Sequence, residues 1–437
     1  GAPSLKKAVL TLAAVALTGL GFVSCGGYSS SAYKPPSGLL ERVVVSQDIS
    51  SPSAAPGLLI INANNDTLPL NSEISAGNRP TLLALSQTRS TLLAFSNFAS
   101  TNTVTVINTV TEQTTGSIVL PGATTSMVLP ATSSFAYAAV PSVPVPGSPP
   151  GAIEVMSLTQ GVATTVGVPG AQTVISNSSG TVLVVFSNDY KVYVVLPPVI
   201  QSLGVVPDCS VQPNPACIPV QGFDRPVGGI FSADGSTVYV LNAGPEQGGT
   251  VPSVQILDTT AFTAGASVAV NGATVGFLQG STLYVAGTPA GTACPAGTAA
   301  TSCGTLDIVD VDQLTDTNFA NPILITDGSH TLMDMSVNGQ LFIGASTCTN
   351  IGNVNNPVGE VRGCLSVFDT TKPGNTTAVI PPDNFDVTGL QSFSTRTVEY
   401  VVEGGALRIY DTTTDALQTT QIPIVGQLVD VKAINFF

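Results

Sequence analysis

The stretch Phe231-Ser-Ala-Asp-Gly-Ser-Thr-Val-Tyr-Val-Leu-Asn242, with Ser253-Val-Gln-Ile-Leu-Asp-Thr-Thr260 behind it, decides how the rest of the chain is read. Asp234-Gly235 between apolar runs predicts a two-residue hairpin, because such a turn needs positive φ. Thr237 to Leu241 then reads as a buried strand and Val254 to Leu257 as the next. Asp258-Thr259-Thr260 closes that strand with side chains suited to bonding turn backbone.

Working outward, the second strand of this unit recurs at Val43, Thr91, Phe135, Thr181, Thr237, Thr282, Gln340 and Thr397, at intervals of 48, 44, 46, 56, 45, 58 and 57 residues. A period near ~45 with four short strands per unit is the pattern of a β-propeller blade. Val43 to Val45 and Leu58 to Asn62 read as the second and third strands of a blade that lacks its first, and Val429 to Phe437 reads as a first strand without a second. Joining them gives an all-β fold: a single β-propeller of eight blades, its ring closed between the N- and C-terminal strands. Seven blades is the alternative, should one strand set be misassigned.

Composition agrees. Only 9% of the 437 residues are charged, while 43 glycines and 32 prolines replace the Glu, Lys and Leu of soluble helices, which excludes a mainly helical protein. A hydrophobic share of 43% excludes disorder. The net charge of -14 repels phosphate backbones, so no nucleic-acid partner is expected.

Lys6 and Lys7 precede the uncharged run Ala8 to Val23 and then Ser24-Cys25-Gly26-Gly27, so residues 1–24 read as an export signal peptide. The apolar run is shorter than the ~20 residues a membrane-spanning helix needs. Phe22-Val23-Ser24-Cys25 resembles the bacterial lipoprotein lipobox, which implies lipidation at Cys25; an ordinary signal peptide cut nearby is the alternative. Residues 25–40, rich in Gly, Ser, Tyr and Pro, read as the lipidated cysteine and a flexible tether, with the propeller over 41–437. The expected location is the cell envelope, as an outer-membrane lipoprotein that is periplasmic or surface-exposed.

The six other cysteines form close pairs, Cys209 with Cys217, Cys294 with Cys303 and Cys348 with Cys364, and each pair falls within one of the three longest intervals. For an exported chain, sequence proximity favours these disulfides among the ~15 connectivities possible. They would staple insertions within standard blades. Zinc is the competing reading, disfavoured because no pair is CxxC and no histidine sits beside one.

Asp234-Gly235, Tyr239-Val240-Leu241-Asn242 and Ile256-Leu257-Asp258-Thr259 resemble the YVTN β-propeller repeats of bacterial and archaeal surface proteins. Weaker copies stand at Val106-Ile107-Asn108-Thr109, Val367-Phe368-Asp369-Thr370 and Ile409-Tyr410-Asp411-Thr412. The resemblance covers roughly 41 to 437 and implies the fold. It implies little about function, because the motif residues serve turns and packing.

Residues that carry chemistry are scarce. His330, the only histidine, reads as an exposed loop residue, and no Gly-x-Ser-x-Gly elbow is present. Asp307, Asp310, Asp312 and Asp316 are weak calcium candidates, against a reading in which Asp310 and Asp312 end a strand and open a turn. Glu154 and Glu399, single acids within strands, read as solvent-facing, and Asp258, Asp369 and Asp411 as turn residues. Tyr239, Tyr284, Phe342 and Tyr400 read as blade-to-blade core. No catalytic set and no cofactor emerge, and CxxCH haem attachment is absent. The sequence therefore favours a lipid-anchored binding or structural module, with an unknown envelope protein or glycan meeting loops such as Ala243 to Pro252 and Thr347 to Gly363. The alternative is a lactonase-type hydrolase acting in the central channel, since lactone hydrolases with related propellers exist.

Overall fold

A computed structural model describes residues 34–435, apart from 49–56, 71, 78, 132–133, 188, 204–207, 295–299, 350–361 and 384. The expected signal peptide and Cys25 lie outside the described residues, as does most of the loop expected between Thr347 and Gly363. Eight antiparallel sheets form the ring. Their innermost strands are Gln427–Ala433 in blade 1, Pro80–Leu85 in blade 2, Ser126–Val128 in blade 3 and Thr173–Ser176 in blade 4. Blades 5 to 8 follow with Pro226–Phe231, Val275–Gln279, Ser329–Met335 and Val387–Ser392. Among the described residues no helix is long and apolar enough to cross a membrane.

Blade 1 is built from both ends of the ring, as the missing-strand pattern implied. Its second strand Arg42–Asp48 pairs on one side with Leu58–Asn62 and on the other with Gln427–Ala433, in the register Val43↔Ala433, Val44↔Lys432 and Val45↔Val431. The C-terminal strand starts two residues earlier than its apolar run suggested.

Apolar clusters fill the spaces between neighbouring blades, so the middle strands are covered on both faces and lose the half-buried alternation of an open sheet. Ala152–Ser157 and Val398–Glu403 are buried at every position, whereas the outer strand Thr263–Ala269 is largely exposed. Phe342 and Tyr400 are fully buried in inter-blade clusters, Tyr284 nearly so, and Tyr239 packs half-buried against another, in keeping with a core role.

The deciding hairpin differs in detail from the two-residue turn expected. Ser232 still pairs with Thr237, its amide donating to the Thr237 carbonyl at 2.9 Å, so the loop is the four residues 233–236. Gly235 donates to the Ser232 carbonyl at 2.9 Å and takes φ +74°, while Asp234 does not enter that region. Asp234 serves instead as an acceptor, its Oδ1 receiving the Ser232 hydroxyl at 2.6 Å and the Ser236 amide at 3.1 Å. A type I turn followed by one left-handed glycine therefore replaces the mirror-image turn.

The Asp-Thr strand endings do what turn residues should. Asp258 Oδ1 accepts from the Thr260 and Ala261 amides at 2.8 Å each, and Asp369 and Asp411 accept from the amides two residues on. Thr259 then ties the strand end to the first hairpin, its hydroxyl reaching the Gly235 and Ser236 carbonyls at 3.0 Å. Thr370 repeats this tie onto the Gly339 carbonyl at 2.8 Å.

All three expected disulfides are present. Cys209–Cys217 lies between the third and outer strands of blade 4, and Cys294–Cys303 and Cys348–Cys364 lie between the second and third strands of blades 6 and 7. Each insertion is thus closed locally and leaves the blade ladders unbroken.

Among the described residues, two arginine clusters hold the closing blade, one fully buried and one half-buried. Arg42, fully buried, donates from Nη1 to Glu112 Oε1 at 2.6 Å and to the Thr109 carbonyl at 2.9 Å, and from Nη2 to the Ile434 carbonyl at 3.2 Å. Glu112 also receives the Ser37 amide and hydroxyl, both at 2.6 Å, so the last part of the expected tether is docked on blade 2. On the opposite side, Arg396 of blade 8 grips Asp66 of blade 1 with both guanidinium nitrogens at 2.7 and 2.8 Å, and the Tyr400 hydroxyl donates to the same carboxylate at 2.6 Å.

Candidate functional site

At the end of the channel where the inner strands begin, blades 3 to 7 enclose a cavity of about 740 Å³. Ser126, Thr173, Ser329 and Thr331 are among its lining residues, with Val227 and Val275, and the Ser126 hydroxyl already accepts the Val174 amide at 3.0 Å. The cavity owes part of its width to Gly228. A Cβ on that residue would meet nothing within 4 Å, whereas one on Gly229 would meet Val238 at 2.8 Å and the Tyr239 carbonyl oxygen at 2.9 Å. Gly228 therefore faces the channel and Gly229 the blade interior, a local bulge between Pro226 and Gly228 having set the register.

Among the described lining residues, one carries a carboxylate. Glu246 sits on the short 3-10 turn Gly244–Gln247, within the loop expected between Ala243 and Pro252. That loop is rigidly tied: Gly249 donates to the Gly244 carbonyl at 2.7 Å, and Asp224 Oδ2 accepts the Thr250 amide, the Thr250 hydroxyl and the Val251 amide at 2.6–2.9 Å. Glu246 Oε2 packs so closely on Gly287 that a Cβ there would lie 2.5 Å from it. This oxygen is buried and has no hydrogen-bond partner. Burial raises the Glu246 pKa against the opposing pull of the Thr288 amide. No lysine or arginine is among the described residues that line the cavity.

His330 overturns the expectation of an exposed loop residue. It lies in the inner strand Ser329–Met335 of blade 7, is 1% exposed, and contributes to the cavity wall. Its Nδ1 is 3.1 Å from Thr288 Oγ1 and its Nε2 is 3.4 Å from Thr326 Oγ1. Thr288 already donates its hydroxyl proton to the Gly328 carbonyl at 2.7 Å, so toward the ring its Oγ1 can only accept. Burial holds the imidazole neutral, its pKa lowered to about 4. Gly304 gives the ring its room, since a Cβ there would lie 2.6 Å from the His330 Cε1.

The four calcium candidates are not gathered into one site. Asp307 is buried and accepts from the Asn271 amide at 3.0 Å and side chain at 2.7 Å, with Asp316 beside it; burial raises both carboxyls. Asp310 ends the third strand of blade 6 and receives the Asp312 and Gln313 amides at 2.9 and 3.1 Å, and Asp312 is exposed. Among the described residues no group of three His, Cys, Asp or Glu is placed to hold a metal ion.

Glu154 and Glu399, expected at the surface, are fully buried, as is Glu403, which the sequence did not single out. Their strands are covered on both faces, so no position within them is solvent-facing. Glu403 Oε2 accepts the Tyr410 hydroxyl at 3.0 Å, and burial, with Asp383 adding to it, pushes the carboxyl up to about 8. The folded protein therefore keeps this proton through the interval in which the unfolded chain, with an ordinary value of 4.5, has released it. Stability from this group is complete below the lower value and falls as pH rises toward the upper one, by at most about 1.4 kcal/mol per pH unit. Glu403→Gln is expected to flatten the decline of the melting temperature between pH 5 and pH 8, measured by calorimetry; identical slopes in variant and wild type would contradict the assignment.

No protein-family model matches the chain, and no curated protein is similar to it in sequence. Solved structures share its architecture. The periplasmic gluconolactonase of Pseudomonas aeruginosa aligns with 12% identity over 90% of this chain and 98% of its own, at a TM-score of 0.52. The dihydro-heme d1 dehydrogenase NirN, in complex with DHE, aligns with 12% identity over 92% of this chain and 79% of its own, at a TM-score of 0.57. These likenesses show the propeller fold.

Proposed function

We propose that the chain is an exported binding module, held at the cell envelope by a lipid on Cys25, whose binding end is the wide mouth of the channel. Three disulfides support an oxidising, extracytoplasmic setting. The lipobox-like Phe22-Val23-Ser24-Cys25 and the resemblance to surface YVTN repeats agree with that setting.

The observation that carries the binding reading is the cavity that blades 3 to 7 share, bordered by a loop fixed in place through Asp224. A rigid rim around a recess of mixed polar and aliphatic lining suits recognition of an envelope protein or glycan. Hydrolysis in the channel, the alternative, would call on His330 as its base. Both of its ring nitrogens already face threonine hydroxyls, one of them committed to a backbone carbonyl, which favours a structural histidine.

Cross-linking in intact envelopes, with wild-type chain beside Cys25→Ser, tests the reading. Wild type is expected in the membrane fraction with an enriched envelope partner, and the variant in the soluble fraction. A soluble wild-type chain with no partner across several growth conditions would overturn it.

A further inference from the structure

We infer that the junction of blades 7 and 8 is a proton-locked seam, which parts when Glu399 and Glu403 ionise while the junction of blades 8 and 1 stays shut. The inference goes beyond the binding reading and holds whatever the mouth binds.

The strand Val398–Glu403 shows one face to each neighbouring blade. Val398, Tyr400 and Val402 pack on blade 1, whereas Val401 packs with Phe342 and Val367 of blade 7. Glu399 and Glu403 share the face of Val401, so both carboxyls enter the blade 7 side, and both residues are fully buried. Neither oxygen of Glu399 accepts a hydrogen bond, although the Gln391 amide faces them, and Glu403 Oε1 accepts none. Beside Glu399 stands Asp334 of blade 7, its Oδ2 held by the Ser392 amide of blade 8 at 2.6 Å. Asp334 is thus fixed as an acceptor, and Glu399 keeps a proton to donate to it. Burial, and then the Asp334 charge, raise the Glu399 carboxyl well above its ordinary range; burial, and then Asp383, do the same to Glu403.

The other charged groups around the seam have partners of their own. Arg408 pairs with Asp383 at 3.1 Å, Tyr410 donates to Glu403 Oε2 at 3.0 Å, and Arg89 acts on Asp334 from blade 2. Asp369 is paired with Lys372, Asp386 accepts the Thr347 amide, and Asp411 closes its own turn. The inner strand of blade 8 and the second strand of blade 7 carry no titratable side chain.

A closed seam therefore holds protons that an open one, with ordinary values of 4.5, has released above that pH. The lock is complete below it, and each pH unit up to about 8 favours opening by up to tenfold for each proton. On the other face of the strand, the bond to Asp66 raises the Arg396 guanidinium and burial raises the Tyr400 hydroxyl, so neither gives up a proton in this interval. Blade 7 also walls the cavity through Ser329 and Thr331, so the seam borders the mouth.

Thiol labelling of Val401→Cys and Val402→Cys, each in the Cys25→Ser chain with its disulfides intact, tests this from adjacent positions on opposite faces. Rates are normalised to free cysteine at each pH. Between pH 6 and pH 8 the Val401→Cys rate is expected to rise about tenfold or more relative to the Val402→Cys rate. Glu399→Gln combined with Glu403→Gln keeps a donor toward Asp334 without a titrating proton, and is expected to abolish that rise. Should a cysteine variant fail to fold, amide exchange of Val387–Ser392 against Gln427–Ala433 in the unaltered chain, corrected for intrinsic rates, reads the same opening.

Equal acceleration at both positions would overturn the seam in favour of loosening throughout the ring. No acceleration in Val401→Cys, or a rise that survives both glutamine substitutions, would overturn the role of the two carboxyls. Labelling needs no partner, so none of these results bears on the envelope cross-linking.

Discussion

A chain cut before Gln427 is expected to lose the cooperative unfolding transition of the entire ring. The removed strand supplies the inner edge of blade 1, where Val431 and Ala433 are fully buried and Leu428 is 3% exposed. Burial of Leu428, Val431 and Ile434 is worth about 1.5–3 kcal/mol for each side chain, and total domain stability is commonly only about 5–15 kcal/mol. The larger effect is architectural. Without its inner strand, blade 1 can no longer pair Val43 to Asp48 on that side, and the apolar faces of blades 2 and 8 lose their cover. Differential scanning calorimetry of the truncated chain, with and without a synthetic peptide of the missing strand, measures this. A broad or absent transition restored by the peptide is expected; an unchanged melting temperature would refute closure by this strand.

Arg42→Ala is expected to destabilise the folded state by about 3–5 kcal/mol, the usual cost of removing one partner from a buried ion pair. The guanidinium joins three parts of the ring: the strand that carries it, the Thr109 and Glu112 turn of blade 2, and the Ile434 carbonyl after the closing strand. Truncation strands Glu112 in a region where its side chain is only 5% exposed, and leaves the two carbonyls facing a void. Because the loss comes mainly from the abandoned charge, Arg42→Met combined with Glu112→Gln is expected to recover part of it. Denaturant titration of wild type, both single variants and the double variant gives the coupling. A cost under about 1 kcal/mol for Arg42→Ala would place the pair among weak surface contacts instead.

Fold and disulfides were legible because each depends on local pattern. The Asp-Gly loop, the strand spacing and the Asp-Thr endings repeat within one blade, and each cysteine finds its partner 8, 9 or 16 residues away. Even there the turn type was misjudged, since a dipeptide does not reveal whether its aspartate supplies a φ angle or an acceptor.

The candidate site was much less legible. His330 was read as an exposed loop residue and Glu399 as the solvent-facing side of a half-exposed strand, but both lie in propeller strands enclosed by the next blade as well as by their own neighbours. Which residues meet there depends on the rotation between blades. The cavity brings together Thr173, Gly228 and Ser329 from the starts of inner strands with Glu246 from a loop, and the reach of that loop over the channel is not written in the strand period. Gly228 was one of 43 glycines, and the signal that it faces open space lies in three dimensions only.

The pairing of Arg42–Asp48 with Gln427–Ala433 also sets a clock. A ribosome reaches the sealing residues after it has made the seven blades between, so during synthesis those blades lack the piece that joins them into a circle. Under the export proposed above, a chain still threading through a translocation pore would be unable to lock prematurely into its final form. Delivery and completion of folding would then be ordered in time by where one strand is encoded.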